Sequence, residues 1–348
     1  MNRLSLLIPM YNVEPYVERC LRSLEDQDIP RNEYEIICIN DGSPDDCRGV
    51  VERLQREYDN ILLIDQENQG VSRARNNGMD MASGKYLFMV DPDDYLLPNV
   101  LKERLDIMEK NDLDVGSAGY VILNEDLKEE YRYDPVFDSN KVISGIDLYR
   151  LKSDQSAVDL EDPHRSVSYF FKTGFLNSNN IRYLTDVPFL EDGELMARIL
   201  CLAKRTAVLN GPVYMRTTRP GSATHSKLFN SERARTGFLK AANNLHQFKQ
   251  NDCKNEVQAE FINQFIVHFT IISIASIEFR EYLRQYSSLH QALKKGPLRK
   301  LETKGISDRY ARWGKAYNIS IHCFYLYWFF DRLRMSLRWR MKKLFSFR

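Results

Sequence analysis

Several features that would point directly to a function are missing from this chain of 348 residues. Its six cysteines, Cys20, Cys38, Cys47, Cys201, Cys253 and Cys323, include no CxxC pair. That spacing suggests neither a zinc site nor a disulfide framework, and it suits a reducing, cytosolic setting. No uncharged run approaches membrane-spanning length. Leu4 to Ile8 meets Pro9 and charged residues soon after, so no signal-peptide architecture is expected. The first apolar run is followed by Pro9-Met10-Tyr11-Asn12-Val13-Glu14, not by the Gly-rich basic loop expected of a nucleotidyltransferase. Internal repeats and low-complexity tracts are absent too.

What is present reads as one large domain with an appendage. Apolar runs at Leu4 to Ile8, Glu35 to Ile39, Ile61 to Ile64 and Tyr86 to Val90 alternate with helical periodicities. Val17, Cys20, Leu21 and Leu24 share one helical face, and Val50, Val51 and Leu54 share another. This spacing predicts βαβ units in an α/β fold with a mostly parallel central sheet. Pro9 is expected to stop the first strand, and Ser43 to cap a helix whose first position is Pro44. Further strands are expected at Asp114 to Leu123, Ser168 to Lys172, Thr206 to Leu209 and Val213 to Arg216, and a helix at Glu191 to Ala203. After about Ser226 glycine and proline become rare and helical periodicity dominates, notably from Phe261 to Phe279. The expected boundary separates residues 1–225 from a helical region, 226–348.

The chemistry concentrates where strands should end. Tyr86 to Val90 runs into Asp91-Pro92-Asp93-Asp94, three carboxylates within four positions. Carboxylates crowded at the carboxyl end of a strand repel one another unless a cation joins them, and oxygen-only ligands favour Mg²⁺ or Mn²⁺. A solvated turn followed by a helix cap would leave the same string. The exits of the first and second strands, Pro9-Met10-Tyr11-Asn12 and Asn40-Asp41-Gly42-Ser43, should lie at the same sheet edge. Asp41 can accept from the imide N–H of a uracil ring while Tyr11 lies against a flat base, or Asp41 can cap its own turn. Arg73 and Arg75 fall near a helix start, where cations are unfavourable without a nearby anion such as a diphosphate. Surface salt bridges are the competing account of both.

Taken in order, these pieces resemble a family 2 glycosyltransferase with the GT-A fold, over about residues 3 to 225. The matching stretches are Ile8-Pro9-Met10-Tyr11-Asn12, Asn40-Asp41-Gly42-Ser43, Asn68-Gln69-Gly70 through Ala74-Arg75-Asn76, Gly84-Lys85-Tyr86 through Asp94, and Phe189-Leu190-Glu191-Asp192. Tyr214-Met215-Arg216 and Gly221-Ser222 look like the family's closing segment. The resemblance implies that Asp41 contacts the base of a nucleotide-sugar, usually UDP-linked, with Pro9, Tyr11, Asn12 and Arg73 lining the same donor site. It implies that Asp91 and Asp93 form a DxD motif holding ribose and metal, Asp93 first, with Asp91 or Asp94 as possible further ligands. Asp192 of the ED pair becomes the general base of an inverting single displacement, with Glu191, Arg198 and His225 as accessory candidates. Asn40 departs from the family, where many relatives carry a second Asp.

The expected activity is thus hexosyl or N-acetylhexosaminyl transfer to a cell-surface glycan precursor, capsular, exo- or lipopolysaccharide. The alternatives are a nucleotidyltransferase and a non-catalytic membrane-associated scaffold with a degenerate transferase domain. The formal net charge of +1 hides an uneven distribution, because Asp331 to Arg348 carries seven Arg or Lys against one Asp. Ile319 to Phe330 is rich in aromatics, and the basic residues after it interleave with Leu333, Leu337, Trp339, Met341 and Leu344. Residues 319–348 therefore suit an anionic membrane surface, placing the chain peripherally on the cytoplasmic face near a lipid-linked acceptor. A helix packed on the catalytic domain or on a partner is the competing account. No recognition module for nucleic acid accompanies the basic end.

Overall fold

The computed structural model describes residues 2–138, 140–155, 166–218, 227–277, 289, 291, 293 and 296–330. The chain divides into two compact units, Met1–His225 and Ser226–Arg348. In the first, β1 (Leu4–Met10), β2 (Tyr34–Asp41), β3 (Ile61–Gln66) and β4 (Tyr86–Met89) lie parallel in the order β3-β2-β1-β4. β1 and β2 are buried along their whole length, which explains why their apolar runs do not alternate. α1 (Glu14–Glu25), α2 (Cys47–Leu54) and α3 (Val71–Met81) connect them, and α1 buries Val17, Cys20, Leu21 and Leu24 as its periodicity predicts.

Pro9 does not end β1. The strand continues to Met10, pairing Pro9 with Ile39 and Met10 with Asn40 on the β2 side. On the β4 side the pairing stops at Leu7–Met89, so an amide at position 9 has no ladder partner there to lose. Nor does Ser43 cap a helix at Pro44: α2 begins at Cys47 with Asp46 as its cap residue.

Beyond β4 the sheet becomes mixed. β8 (Tyr169–Lys172) enters antiparallel to β4 and to β6 (Val115–Leu123), and β6 pairs in parallel with β9 (Thr206–Thr217). β5 (Tyr95–Leu96) and β7 (Glu129–Tyr133) add antiparallel edges. β9 joins the two short strands expected at Thr206 to Leu209 and Val213 to Arg216. Gly211, at a φ of 82°, absorbs a register shift against Ala118 and Gly119 without breaking the strand. α4 (Leu101–Lys110), α5 (Gly145–Gln155), α6 (Thr173–Ser178) and α7 (Glu191–Leu202) complete this unit.

The second unit is helical. α8 (Glu232–Asn251) and α9 (Glu256–Ala275) are each capped by the side chain of the preceding residue, Ser231 on Ala234 N–H and Asn255 on Gln258 N–H. Against the expectation that no uncharged run approaches membrane-spanning length, the uncharged run from Phe261 to Ile277 makes α9 long and apolar enough to cross a membrane by length and composition, but most of that stretch is buried. Helices Asp308–Ile319 and Ile321–Phe330 follow.

Candidate active site at the strand ends

The strand ends of β1, β2 and β4 come together as their parallel order requires. Asn12, at a φ of 55°, donates its amide to Ser43 Oγ at 2.7 Å, tying the β1 exit to the β2 exit. Tyr11 beside it is 51% exposed, while Pro9 is buried within β1. Asp41, the last residue of β2, is buried and accepts from Gln66 Nε2 (2.7 Å), Gln69 N–H (2.8 Å) and Gly70 N–H (2.9 Å). It therefore shapes the loop that starts α3. The reversal of that loop needs Gly70 at a φ of 85°, and Gly42, at 63°, passes so close that an added Cβ would lie 2.9 Å from Asn68 N. Among the described residues Oδ2 of Asp41 takes a single donor, which leaves its second lone pair open to another.

The Asp91–Asp94 string is held from both sides. Asp91 N–H donates to the Tyr214 hydroxyl (3.0 Å), and that hydroxyl donates to Asp94 Oδ2 (2.7 Å). Thr217 N–H donates to Asp94 Oδ1 and its hydroxyl to the Asp93 carbonyl, both at 2.7 Å; Arg19 Nη2 reaches the same carbonyl. Asp94 is thus directed into the protein with both oxygens on β9 donors. Burial, followed by the charges of Asp91 and Asp93, pushes its pKa well above the usual carboxylate range. Both oxygens of Asp94 are thus engaged inside the protein, and its side chain anchors the turn that carries Asp91 and Asp93. Asp91 and Asp93 remain partly exposed.

Arg75 links these two carboxylates' turn to the ED pair. Its guanidinium, 4% exposed, reaches Asp91 Oδ1 (2.9 Å), Glu191 Oε1 (3.0 Å) and Asp192 Oδ1 (3.3 Å), with the Tyr183 ring 5.1 Å from its centre. Its Nε is buried without a hydrogen-bond partner among the described residues. Asn76 exchanges two hydrogen bonds with the Tyr183 backbone, locking α3 to the segment before α7. Arg73, the sequence-based choice, is exposed on α3. The helical period holds the reason: Arg75 shares a buried face with Ser72, Asn76 and Met79, and Arg73 does not.

Glu191 and Asp192 open α7, where the helix dipole favours negative charge. Asp192 Oδ1 accepts from Ser166 Oγ (2.8 Å), lies 3.0 Å from the Tyr183 hydroxyl and faces Arg75. All three partners converge on Oδ1, leaving Oδ2 without a donor among the described residues. Burial and the neighbouring Asp192 charge push Glu191 up to about 7, against the opposing pull of Arg75. Arg198 does not orient Asp192. It forms a bidentate pair with buried Glu194 one turn back (2.8 and 2.7 Å) and donates to the Arg182 carbonyl, so its role is in the core of α7. His225, with Gly221 and Ser222, lies outside the described residues. Ser166, Tyr183 and Tyr214 went unselected in the sequence. Tyr214 stood in a recognised closing segment, but no local pattern marks Ser166 or Tyr183.

Among the described residues no cluster of three or more His, Cys, Asp or Glu side chains is placed to hold a metal ion. Two partly exposed carboxylates at one strand end still fit a hard divalent ion, since Mg²⁺ is usually held by one or two carboxylates together with water and substrate phosphates.

Residues 5–172 match the sequence profile of Glycosyl transferase family 2. This stretch of the chain belongs to that family. Among curated relatives, the uncharacterized glycosyltransferase EpsJ of Bacillus subtilis is 28% identical over 226 residues, 63% of this chain and 62% of EpsJ. The poly(ribitol-phosphate) beta-N-acetylglucosaminyltransferase TarS of Staphylococcus aureus is 22% identical over 279 residues, 78% of this chain and 45% of TarS. The chain thus spans less than two thirds of the length of these relatives. The solved structure of TarS residues 1–349 with UDP-GlcNAc superposes with a TM-score of 0.64 at 19% identity, covering 93% of this chain and 89% of that one. A Pyrobaculum calidifontis mannosyltransferase, PcManGT, solved with GDP-Man and Mn²⁺, gives 0.50 at 14% identity, covering 93% and 86%. At these identities the superpositions establish the GT-A architecture of the chain.

Proposed function

We propose that this family 2 glycosyltransferase moves a hexosyl or N-acetylhexosaminyl group from a nucleotide-sugar, UDP-linked, to a hydroxyl of a cell-surface glycan precursor with inversion. The observation that carries the reading is Asp192. Its Oδ1 is fixed by Ser166, Tyr183 and Arg75, and its Oδ2 has no donor among the described residues. A carboxylate held this way has one oxygen for orientation and one for a proton. The acceptor hydroxyl gives its proton to Asp192. Its oxygen then bonds to the anomeric carbon as the bond from that carbon to the β-phosphate oxygen breaks, and the electron pair leaves with the nucleoside diphosphate.

Asp41, Tyr11 and Asn12 line the place for the base, and Asp91 that for the ribose. Asp93, with Asp91 through water, would hold Mg²⁺ or Mn²⁺; such an ion supplies Lewis-acid stabilisation of the charge growing on the diphosphate. Arg75 keeps the donor-side Asp91 and the acceptor-side pair in register. The choice of UDP is supported by TarS, whose solved complex holds UDP-GlcNAc. The cell-envelope acceptor is supported by relatives named for poly(ribitol-phosphate) glycosylation. A lipid-linked acceptor at the cytoplasmic face of the membrane rests on the basic end of the chain, whose residues 331–348 lie outside the described residues.

The test is donor turnover with a panel of UDP- and GDP-sugars, with Mn²⁺, with Mg²⁺ and with EDTA. Turnover of one donor, abolished by EDTA and lowered at least about 10²-fold by Asp192→Asn, is the expected result. Wild-type rates in Asp93→Ala or Asp192→Asn would overturn the assigned roles.

A further inference from the structure

The helix Ile321–Phe330 has two apolar faces. One is packed: Ile321, Phe324 and Tyr325 are buried, and the Tyr325 hydroxyl donates to the Ile277 carbonyl at 3.1 Å. The other faces water. Cys323, Leu326, Tyr327 and Phe330 stand at i, i+3, i+4 and i+7, one side of a helix, and all four are exposed, Leu326 at 56% and Phe330 at 62%. Phe329 and the preceding Ile319 enlarge the same exposed surface. A helix on the outside of a soluble unit ordinarily shows polar residues there. Between Ile319 and Phe330 this sequence has no Asp, Glu, Lys or Arg at all. A contiguous exposed apolar patch of this kind marks an interaction surface.

The sequence that follows says what covers it. From Phe330 the apolar spacing runs on through Leu333, Leu337, Met341 and Leu344 at intervals of three and four. Arg332, Arg334, Arg338, Arg340, Lys342 and Lys343 stand between them, and Arg348 closes the chain. An apolar helix face continuous with a cationic stretch matches the interface of an anionic bilayer, which takes aromatic and aliphatic side chains at acyl depth and cations at the headgroups. A second copy is the poorer fit, because apposing two such faces would bring two sets of cations together.

We propose that the exposed face formed by Cys323, Leu326, Tyr327 and Phe330 inserts into the interfacial layer of an anionic lipid bilayer. The proposal extends the membrane reading of the basic end to a named surface, and it does not depend on which sugar is transferred. It brings the transferase to the plane in which a lipid-linked acceptor is displayed.

The test uses the full chain and vesicle flotation without any nucleotide-sugar, comparing phosphatidylcholine alone with an equal mixture of phosphatidylcholine and phosphatidylglycerol. Binding to the anionic vesicles at least about tenfold tighter than to the neutral ones is expected. Leu326→Ser/Phe330→Ser should lower it at least about tenfold, with the thermal midpoint and donor turnover in solution unchanged. Each cation removed, as in Arg338→Ala, should lower it roughly fivefold. A solvatochromic probe on Cys323 should shift to the blue on anionic vesicles, and Asp192→Asn should bind like wild type, which separates a failure here from a failure of the catalytic reading. Three results overturn the proposal: no preference for anionic vesicles, binding untouched by the Leu326/Phe330 variant, or wild-type self-association that this variant abolishes. The last would assign the face to a second copy, and the second would assign the lipid contact to the basic residues alone.

Discussion

Removing Arg75 should cost this protein more than removing any other cation of the candidate site. The guanidinium is 4% exposed and pairs with three carboxylates whose side chains are 37% (Asp91), 15% (Glu191) and 21% (Asp192) exposed. Truncating one member of a buried ion cluster typically costs ~3–5 kcal/mol, because the remaining charges are left uncompensated. Here the partly exposed carboxylates can hydrate or take up a proton, so about 3 kcal/mol is the expected loss for Arg75→Ala. In a unit of this size that lowers the thermal midpoint by roughly 6–12 °C. Arg75→Lys restores the charge but not the fork that spans Asp91 and the ED pair, and should recover only part of the loss. The catalytic signature is separate from stability. Without the guanidinium that spans Asp91 and Asp192 these side chains lose their common register, so kcat of the folded Arg75→Ala variant should fall by at least about tenfold, read below the new midpoint. A variant that melts within about one degree of wild type and keeps the wild-type kcat would refute this account.

Glu191 supplies a pH-dependent prediction. Its pKa in the folded protein is pushed up to about 7 from an ordinary value of 4.5. Its stabilising contribution is therefore complete below 4.5 and is lost as pH rises through 7. Wild type should lose about 2–3 kcal/mol between pH 4.5 and 7.5 that Glu191→Gln retains, and equal pH slopes in urea titrations would refute it. Tyr214→Phe removes the hydroxyl shared by Asp91 N–H and Asp94, leaving two groups unsatisfied. A loss of about 1–3 kcal/mol is expected, with a raised donor KM; unaltered KM would remove Tyr214 from the support of the DxD turn. Arg198→Met should destabilise by about 2–3 kcal/mol, since it removes the bidentate, charge-assisted pair with the buried Glu194 carboxylate, yet leave the pH profile of the folded protein in place. A shifted profile would return Arg198 to the catalytic centre.

Much of this architecture was legible in the sequence because strand and helix periods are local. The unbroken apolar runs of β1, β2 and β4 report burial on both faces, and the meeting of Asp41 with the Asp91–Asp94 string at one edge follows from parallel strands that must end there. The order of pieces, from Ile8-Pro9-Met10-Tyr11-Asn12 to Glu191-Asp192, was enough to identify the family. Some local rules were overridden: Pro9 was tolerated in β1 because nothing needs its amide on the β4 side, and Ser43 bonds the neighbouring loop instead of capping at Pro44.

What only the tertiary structure decided is which of the charged residues meet. Arg75 and Glu191 stand 116 positions apart, and their contact depends on α7 and the segment before it docking beside α3. The choice of Arg75 over Arg73, the inward turn of Asp94 onto Tyr214 and Thr217, and the pairing of Arg198 with Glu194 all have this origin. Sequence by itself determined which residues could carry charge at the strand ends, since strand and helix periods place side chains by their nearest neighbours. Which of those charges face one another is set by packing between elements distant in the chain, where burial makes each unpaired group costly and leaves a single arrangement that satisfies them.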